Sequence, residues 1–256
     1  MRMQFVSRGG LGPRLLLALV LVLAAVGLSG CAQGPLAGKV VVLDAGHNGA
    51  NWAYPGQINR LVWIGNTWKQ CDTTGTATNA GYPEHAFTFD VVNRIATRLS
   101  ALGARVVLTR TNDTGWGPCI SDRAGVGNAQ HADLAIAVHG DGASGYVRGF
   151  HVIRPASLPG LTDKIYARSV WLAWVLRTTY AQDTGMPPAS YVGDGSGIVE
   201  RSDLGGLNLS RVPKVFIECG NMRNATDAAL MSSIAGRDRI AYAISEGARQ
   251  YLEGHA

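Results

Sequence analysis

Apolar residues in this chain fall into two alternating patterns. Short unbroken runs of β-branched and aliphatic residues are separated by longer stretches in which apolar positions return every three or four residues. Val40, Val41, Val42 and Leu43 form one such run. A run without alternation fits a central strand covered on both faces, predicted over 39–44. The same pattern predicts strands over 105–110, 133–138, 149–154 and 212–218, the fourth of them at a sheet edge. Between them, Thr88, Val91, Val92, Ile95, Leu99 and Leu102 fall on one helical face, predicting a helix from Pro83-Glu84 to about residue 102. Further helices are predicted over 121–128 (Ser121 as N-cap), 163–180, 225–233 and 238–252. Residues 48–83 and 182–209 lack periodicity and read as loops, the second rich enough in Gly and Ser to serve as a cover. Strands alternating with helices predict an α/β fold: one domain, a mostly parallel central sheet with helices on both faces, and a site at the carboxyl ends of the strands.

Three strands end in polar residues suited to chemistry. The first runs into Asp44-Ala45-Gly46-His47, the third into His139 and the last into Glu218. A helix that follows a parallel strand begins at that strand's carboxyl edge, which brings Glu84 near His47. Catalytic zinc takes three protein ligands from this residue set and keeps a fourth position for water. His47, Glu84 and His139 are therefore the candidate ligands of a single Zn2+, with Glu218 left as a candidate base. The other histidines compete poorly. His85 points about a quarter-turn away from Glu84, His131 precedes a strand, His151 lies inside the predicted edge strand, and His255 is in the tail. The chain has no His-Glu-x-x-His helix, Gly-x-Ser-x-Gly elbow, phosphate loop or dinucleotide fingerprint.

The amino terminus has its own composition. Arg2, Arg8 and Arg14 precede a short apolar core, and Leu28-Ser29-Gly30-Cys31 follows it. The segment reads as a signal peptide over 1–30, with a tether over 31–38 and the catalytic domain over 39–254. The tetrapeptide resembles a bacterial lipobox, in which Cys31 becomes a lipidated amino terminus; ordinary cleavage nearby with Cys31 incidental is the alternative. Either predicts export to the periplasm or cell envelope, with membrane anchoring through Cys31 in the first case. The whole chain carries +5, and the leader holds three of those charges and no acidic residue, leaving about +2. That excludes a strong basic footprint, so no nucleic-acid partner is expected. An oxidising compartment permits a disulfide, and Cys71 and Cys119 lie in polar loop sequence, whereas Cys219 ends a buried strand. Pairing Cys71 with Cys119 and leaving Cys219 as a buried thiol is the economical reading.

These pieces together resemble a known family. Leu43-Asp44-Ala45-Gly46-His47-Asn48-Gly49, Glu84 opening its helix, Val106 to Arg110, Arg123 in Ser-Asp-Arg-Ala, Ala137 to Gly142, and Phe216-Ile217-Glu218-Cys219-Gly220-Asn221 are similar to the zinc-dependent N-acetylmuramoyl-L-alanine amidases of bacterial cell walls, in the form found in mycobacteria and related actinobacteria. The resemblance spans about 39–254. It implies zinc on His47, Glu84 and His139, catalysis by Glu218, and hydrolysis of the amide between the lactyl group of N-acetylmuramic acid and L-alanine of the stem peptide. Peptidoglycan or muropeptides are the implied partners, and a monomer is expected. Val138 and Asp141 depart from the usual Ser and Asn, and the aromatic loop with Trp52, Trp63 and Trp68 is unusually long. Asp44 is either a partner holding an imidazole or a strand-end turn carboxylate, and Arg123 and Arg201 are candidates to meet substrate carboxylates. The competing readings are an envelope zinc peptidase cutting within the stem and a silent wall-binding protein on the same fold.

Overall fold

A six-stranded sheet in the order β4-β1-β5-β8-β6-β7 forms the centre of the molecule. The computed structural model describes residues 1–4 and 34–254. Cys31 and most of the predicted leader thus lie outside the described residues. In chain order the elements are β1 (Val40–Ala45), a 3-10 turn (Asn51–Ala53), α1 (Pro55–Ile58), β2 (Leu61–Trp63), β3 (Trp68–Gln70), α2 (Glu84–Ala101), β4 (Arg105–Leu108), α3 (Ile120–Ala129) and β5 (Leu134–Asp141). They continue with β6 (His151–Pro155), α4 (Asp163–Thr184), β7 (Ile198–Arg201), α5 (Gly205–Asn208), β8 (Lys214–Asn221), α6 (Ala225–Ser232) and α7 (Ile234–Glu253).

Side-chain alternation along β1 sorts the sheet's two faces. Val41, Leu43 and Ala45 join the main core with Val91, Val92, Ile95 and Leu99 of α2 and the inner faces of α4 and α7. Each buried aliphatic side chain here stabilises the fold by about 1.5–3 kcal/mol. Val42 points the other way, into a smaller cluster with Ala135, Val212 and Val126 of α3. Asp44 shares that thinner face. The mostly parallel sheet agrees with the sequence pattern: β4, β1, β5 and β8 pair in parallel.

Several sequence expectations are corrected. The strand predicted at 149–154 is not an edge; β6 lies between β8 and β7 and runs antiparallel to β8. Its edge neighbour β7 comes from the stretch read as loop 182–209, which also contains α5. The long loop 48–83 includes the β2–β3 hairpin, whose strands are too short and too exposed to show a burial period. Finally, α3 starts at Ile120 with Cys119, not Ser121, at its N-cap, so Arg123 is helical. Residues 35–38, read as tether, form a turn in which Leu36 is buried and its N–H donates to Leu102 O at 2.9 Å.

Candidate active site

The carboxyl edge of β1, β5 and β8 brings the predicted chemistry together. His139 and Glu218 are register partners on β5 and β8, so their side chains emerge side by side on one face. Glu84 is the first residue of α2 and reaches over the edge from the opposite layer. His47 follows β1 in a left-handed conformation, φ 57°, an uncommon state for a residue with a Cβ and one that concentrates at functional sites.

Candidate ligand atoms of His47, Glu84 and His139 all lie within 4.8 Å of one another. Glu84 Oε1 is 3.3 Å from His47 Nε2 and 3.0 Å from His139 Nδ1, and it accepts the Gly140 N–H at 3.1 Å. The other oxygen, Oε2, accepts from Thr76 N at 2.9 Å. Behind His47, Nδ1 meets Asp72 Oδ1 at 3.0 Å. An imidazole that gives its Nδ1 proton to a carboxylate presents the Nε2 lone pair to the site, as metal-binding histidines do. Two glycines leave room for this cluster. A Cβ on Gly46 would stand 2.3 Å from the His139 ring, and one on Gly75 (φ +74°) would stand 2.7 Å from Glu84 Oε2. Two imidazoles and a carboxylate, converging and oriented from behind, suit a borderline cation such as zinc.

Electrostatics are consistent with a cation position. Burial acts to lower the His47 pKa, yet the Glu84 charge and the hydrogen bonds that the ring donates to Asp72 and Glu84 outweigh it and push it up to about 10. Burial likewise opposes ionisation of Glu84, but the two imidazoles hold its carboxyl well below the usual range. The carboxylates of Glu84 and Asp72 therefore make the site a favourable place for positive charge. Glu218 is the opposite case. Burial, then the charges of Glu84 and Asp141, raise its pKa well above the ordinary value. Its residue surface is only partly covered, but Oε2 is inaccessible and has no hydrogen-bond partner among the described residues.

Two hollows flank the edge. One, about 280 Å³, has Ile120, Leu204 and Phe216 in its walls, Lys69 and Asp203 among its polar lining, and His47 and His139 where it meets the cluster. The other is a shallow polar mouth that includes Thr76, Gly142 and Glu218.

A family model described as N-acetylmuramoyl-L-alanine amidase (Amidase_3) matches residues 41–250. The chain belongs to the N-acetylmuramoyl-L-alanine amidase family. It is 43% identical over 218 residues, 85% of this chain and 88% of the relative, to N-acetylmuramoyl-L-alanine amidase Rv3717 of Mycobacterium tuberculosis. The structure superposes on the N-acetylmuramyl-L-alanine amidase Ami1 of Mycobacterium smegmatis with a TM-score of 0.80, at 44% identity, covering 86% of this chain and 99% of that one. Ami1 of Mycobacterium abscessus gives 0.79 at 42%, covering 85% and 100%. This chain is thus an amidase of the peptidoglycan-degrading family, with the expected fold.

Three weaker sequence readings change. Asp44 holds no imidazole: it is buried, accepts from Thr109 Oγ1 at 2.7 Å and pairs with Arg123 at 2.8 Å and Lys214 at 3.1 Å. Arg123 is not free for substrate. It is 5% exposed and is tied to Asp44, Asp72 and the carbonyls of Ala45 and His47. Arg201 pairs with Asp203 at 2.7 Å, although its charge still acts on Glu218. The residue that orients His47 is Asp72, whose only sequence cue is its place beside Cys71. Sequence reasoning also missed His151. Because β6 runs antiparallel, its first residue comes to the carboxyl edge, opposite Glu218. Tyr191 was missed as well; its hydroxyl donates to Asp141 Oδ2 at 2.9 Å across the same edge. The predicted disulfide is present between Cys71 and Cys119, and Cys219 is a free buried thiol.

Proposed function

We propose that one zinc ion bound by His47, Glu84 and His139 serves hydrolysis of the amide between the lactyl group of N-acetylmuramic acid and L-alanine of the stem peptide. The observation that carries this reading is the convergence of the three ligand atoms within 4.8 Å beside Glu218. Bound there, zinc would polarise the amide carbonyl and bring the pKa of its water to about 7. The chain's own groups supply the rest. Asp72 fixes the His47 ring, and Thr76 N and Gly140 N fix both oxygens of Glu84. Glu218 accepts the proton of the attacking water and hands it to the departing L-alanine nitrogen. A raised pKa makes Glu218 a better acceptor of the water proton, and the departing amine, more basic still, takes it over.

The reading extends to location. The leader composition supports export, with removal of residues 1–30, and the lipobox-like tetrapeptide supports anchoring through Cys31 at the outer face of the membrane. No helix among the described residues is long and apolar enough to cross a membrane.

Incubation with purified muropeptides tests the reaction. The expected products are a free lactyl carboxylate and a stem peptide with a free L-alanine amine. Glu218→Gln should keep one zinc per chain and lose about 10²–10⁴-fold in turnover, whereas His139→Ala should lose the metal. Cleavage inside the stem, or near-normal turnover of Glu218→Gln, would overturn the assignment.

A further inference from the structure

The polar mouth beside Glu218 continues as a groove past Gly142. Gly142 lines both the mouth and a shelf formed with Asn79, Ser144 and Arg223. Arg223 is exposed, and among the described residues its only side-chain hydrogen bond is from Nε to Thr76 Oγ1 at 3.4 Å. Both terminal nitrogens of its guanidinium are without a partner among the described residues. Other arginines near the site, Arg110, Arg123, Arg148 and Arg201, are each committed to a carboxylate. The backbone beneath Arg223 is fixed. Its N–H donates to Asn221 Oδ1 at 3.0 Å, and its carbonyl accepts from Asn79 Nδ2 at 3.2 Å. Asn221 is fully buried and donates to the carbonyls of Ser144 and Val147, both at 2.8 Å. A rigid platform thus presents a free, forked cation into the groove.

We infer that Arg223 recognises a carboxylate on the peptide side of the substrate, and so fixes which way the substrate lies. The inference rests on the amidase reading. Amino sugars whose lactyl carboxyl is tied up in the scissile amide carry no negative charge, whereas the stem peptide does. A planar guanidinium with two open donors matches a carboxylate bidentately. Reach agrees as well. Thr76, which Arg223 touches through its side chain, donates its own N–H to Glu84, so one residue separates Arg223 from the ligand cluster. A γ-linked second stem residue carries its free α-carboxylate within two residues of the scissile bond, a reach of about 7 Å in extended chain. The peptide then runs along the Arg223 shelf, and the muramoyl group faces the hollow between Phe216 and Lys69.

Two probes differ only in that group: N-acetylmuramoyl-L-alanyl-D-isoglutamate, with a carboxylate, and N-acetylmuramoyl-L-alanyl-D-isoglutamine, with a carboxamide. The wild-type holoenzyme should favour the carboxylate by about 10-fold or more in kcat/KM, mostly through KM, as expected for a charge-assisted hydrogen-bond pair. In Arg223→Gln that ratio should collapse to near one, and in Arg223→Lys it should be partly restored. Calorimetric binding of the product dipeptides L-alanyl-D-isoglutamate and L-alanyl-D-isoglutamine gives the same comparison without turnover. A ratio that is unchanged in Arg223→Gln, or a wild type that does not distinguish the probes, would overturn the inference while leaving the amidase reading intact. Failure of the wild type to cut the lactyl–alanine bond in either probe would overturn that reading and the inference with it.

Discussion

At the scale of single residues, what made a side chain legible was its position relative to a regular element. His47 follows β1, His139 and Glu218 come at the polar ends of the apolar runs of β5 and β8, and Glu84 opens the amphipathic helix α2. Asp72 has no such marker. It lies in a segment without periodicity, and only the hairpin and the neighbouring disulfide bring it behind His47. It also binds Arg123 at 3.0 Å, so it joins the site to the buried Asp44–Arg123–Lys214 network. Burial alone would raise the Asp72 pKa, but the hydrogen bond to His47 and the Arg123 charge bring it below the ordinary value. Asp72→Asn keeps the shape and removes the charge that polarises the imidazole. Zinc affinity should fall by about 10–100-fold, as for other partners of metal-binding histidines. A competition titration against a chelator measures this; an affinity within about twofold of wild type would mean that Thr73 O, 3.1 Å from the same nitrogen, is enough to orient the ring.

At the scale of elements, the β2–β3 hairpin and the start of α3 form one unit. Cys71 follows β3, Cys119 caps α3, and the bond between them joins positions 48 residues apart. Ile120 N also donates to the Cys71 carbonyl at 2.8 Å, and Asp72 N to the Ile58 carbonyl at 3.1 Å. Between them, these contacts carry the chain past the site to Asp72 and on to Gly75. The cysteines were readable because an exported chain with two loop cysteines favours pairing them. The hairpin was not, because three-residue strands with both tryptophans exposed show neither length nor alternation. Trp63 and Trp68 face each other across it, ring centroids 5.6 Å apart, and do not fill the core. Closing a loop of this size lowers unfolded-state entropy by an amount worth about 4 kcal/mol in the chain-entropy treatment. The double variant Cys71→Ser/Cys119→Ser should therefore lose about 2–4 kcal/mol in urea unfolding. It should also bind zinc more weakly, because Asp72 is released with the hairpin. Equal stability and equal zinc affinity would show that the backbone bonds to Ile58 and Cys71 hold the loop without the bridge.

For the whole molecule, the fold class followed from alternating strands and helices, while the reversal of β6 did not. Nothing in a five-residue apolar strand records its direction; that depends on the connection through residues 142–150, where Asp227 accepts from Gly149 N at 2.7 Å and Arg148 Nε at 3.1 Å. The reversal carries His151 into a charged setting, facing Asp141 on β5, Arg201 on β7, Glu218 on β8 and the ring of Tyr191. Its Nδ1 is buried without a hydrogen-bond partner among the described residues. Burial, helped by the Arg201 charge and opposed by Asp141, pushes its pKa down from 6.5 to about 4. Between those values the unfolded chain binds a proton that the folded protein refuses, so stability rises with pH, by at most about 1.4 kcal/mol per unit. Glu218 acts in the other direction. Its folded value is raised, so its contribution is full below 4.5 and is lost as pH rises. His47, raised to about 10, contributes stability that is full well below 6.5 and is lost as the unfolded histidine titrates through 6.5 and pH rises towards 10. Asp44, Glu84 and Asp203, all depressed, act as pH falls below about 4. From pH 5 to 6 the slope is thus set mainly by His151 against Glu218. Unfolding free energies of the metal-free protein in urea at pH 5, 5.5 and 6 should rise more steeply with pH in the wild type than in His151→Gln, where the slope should flatten or reverse as Glu218 acts alone. Parallel curves would mean that His151 keeps its proton in the folded protein, shared with Glu218 across the strand pair.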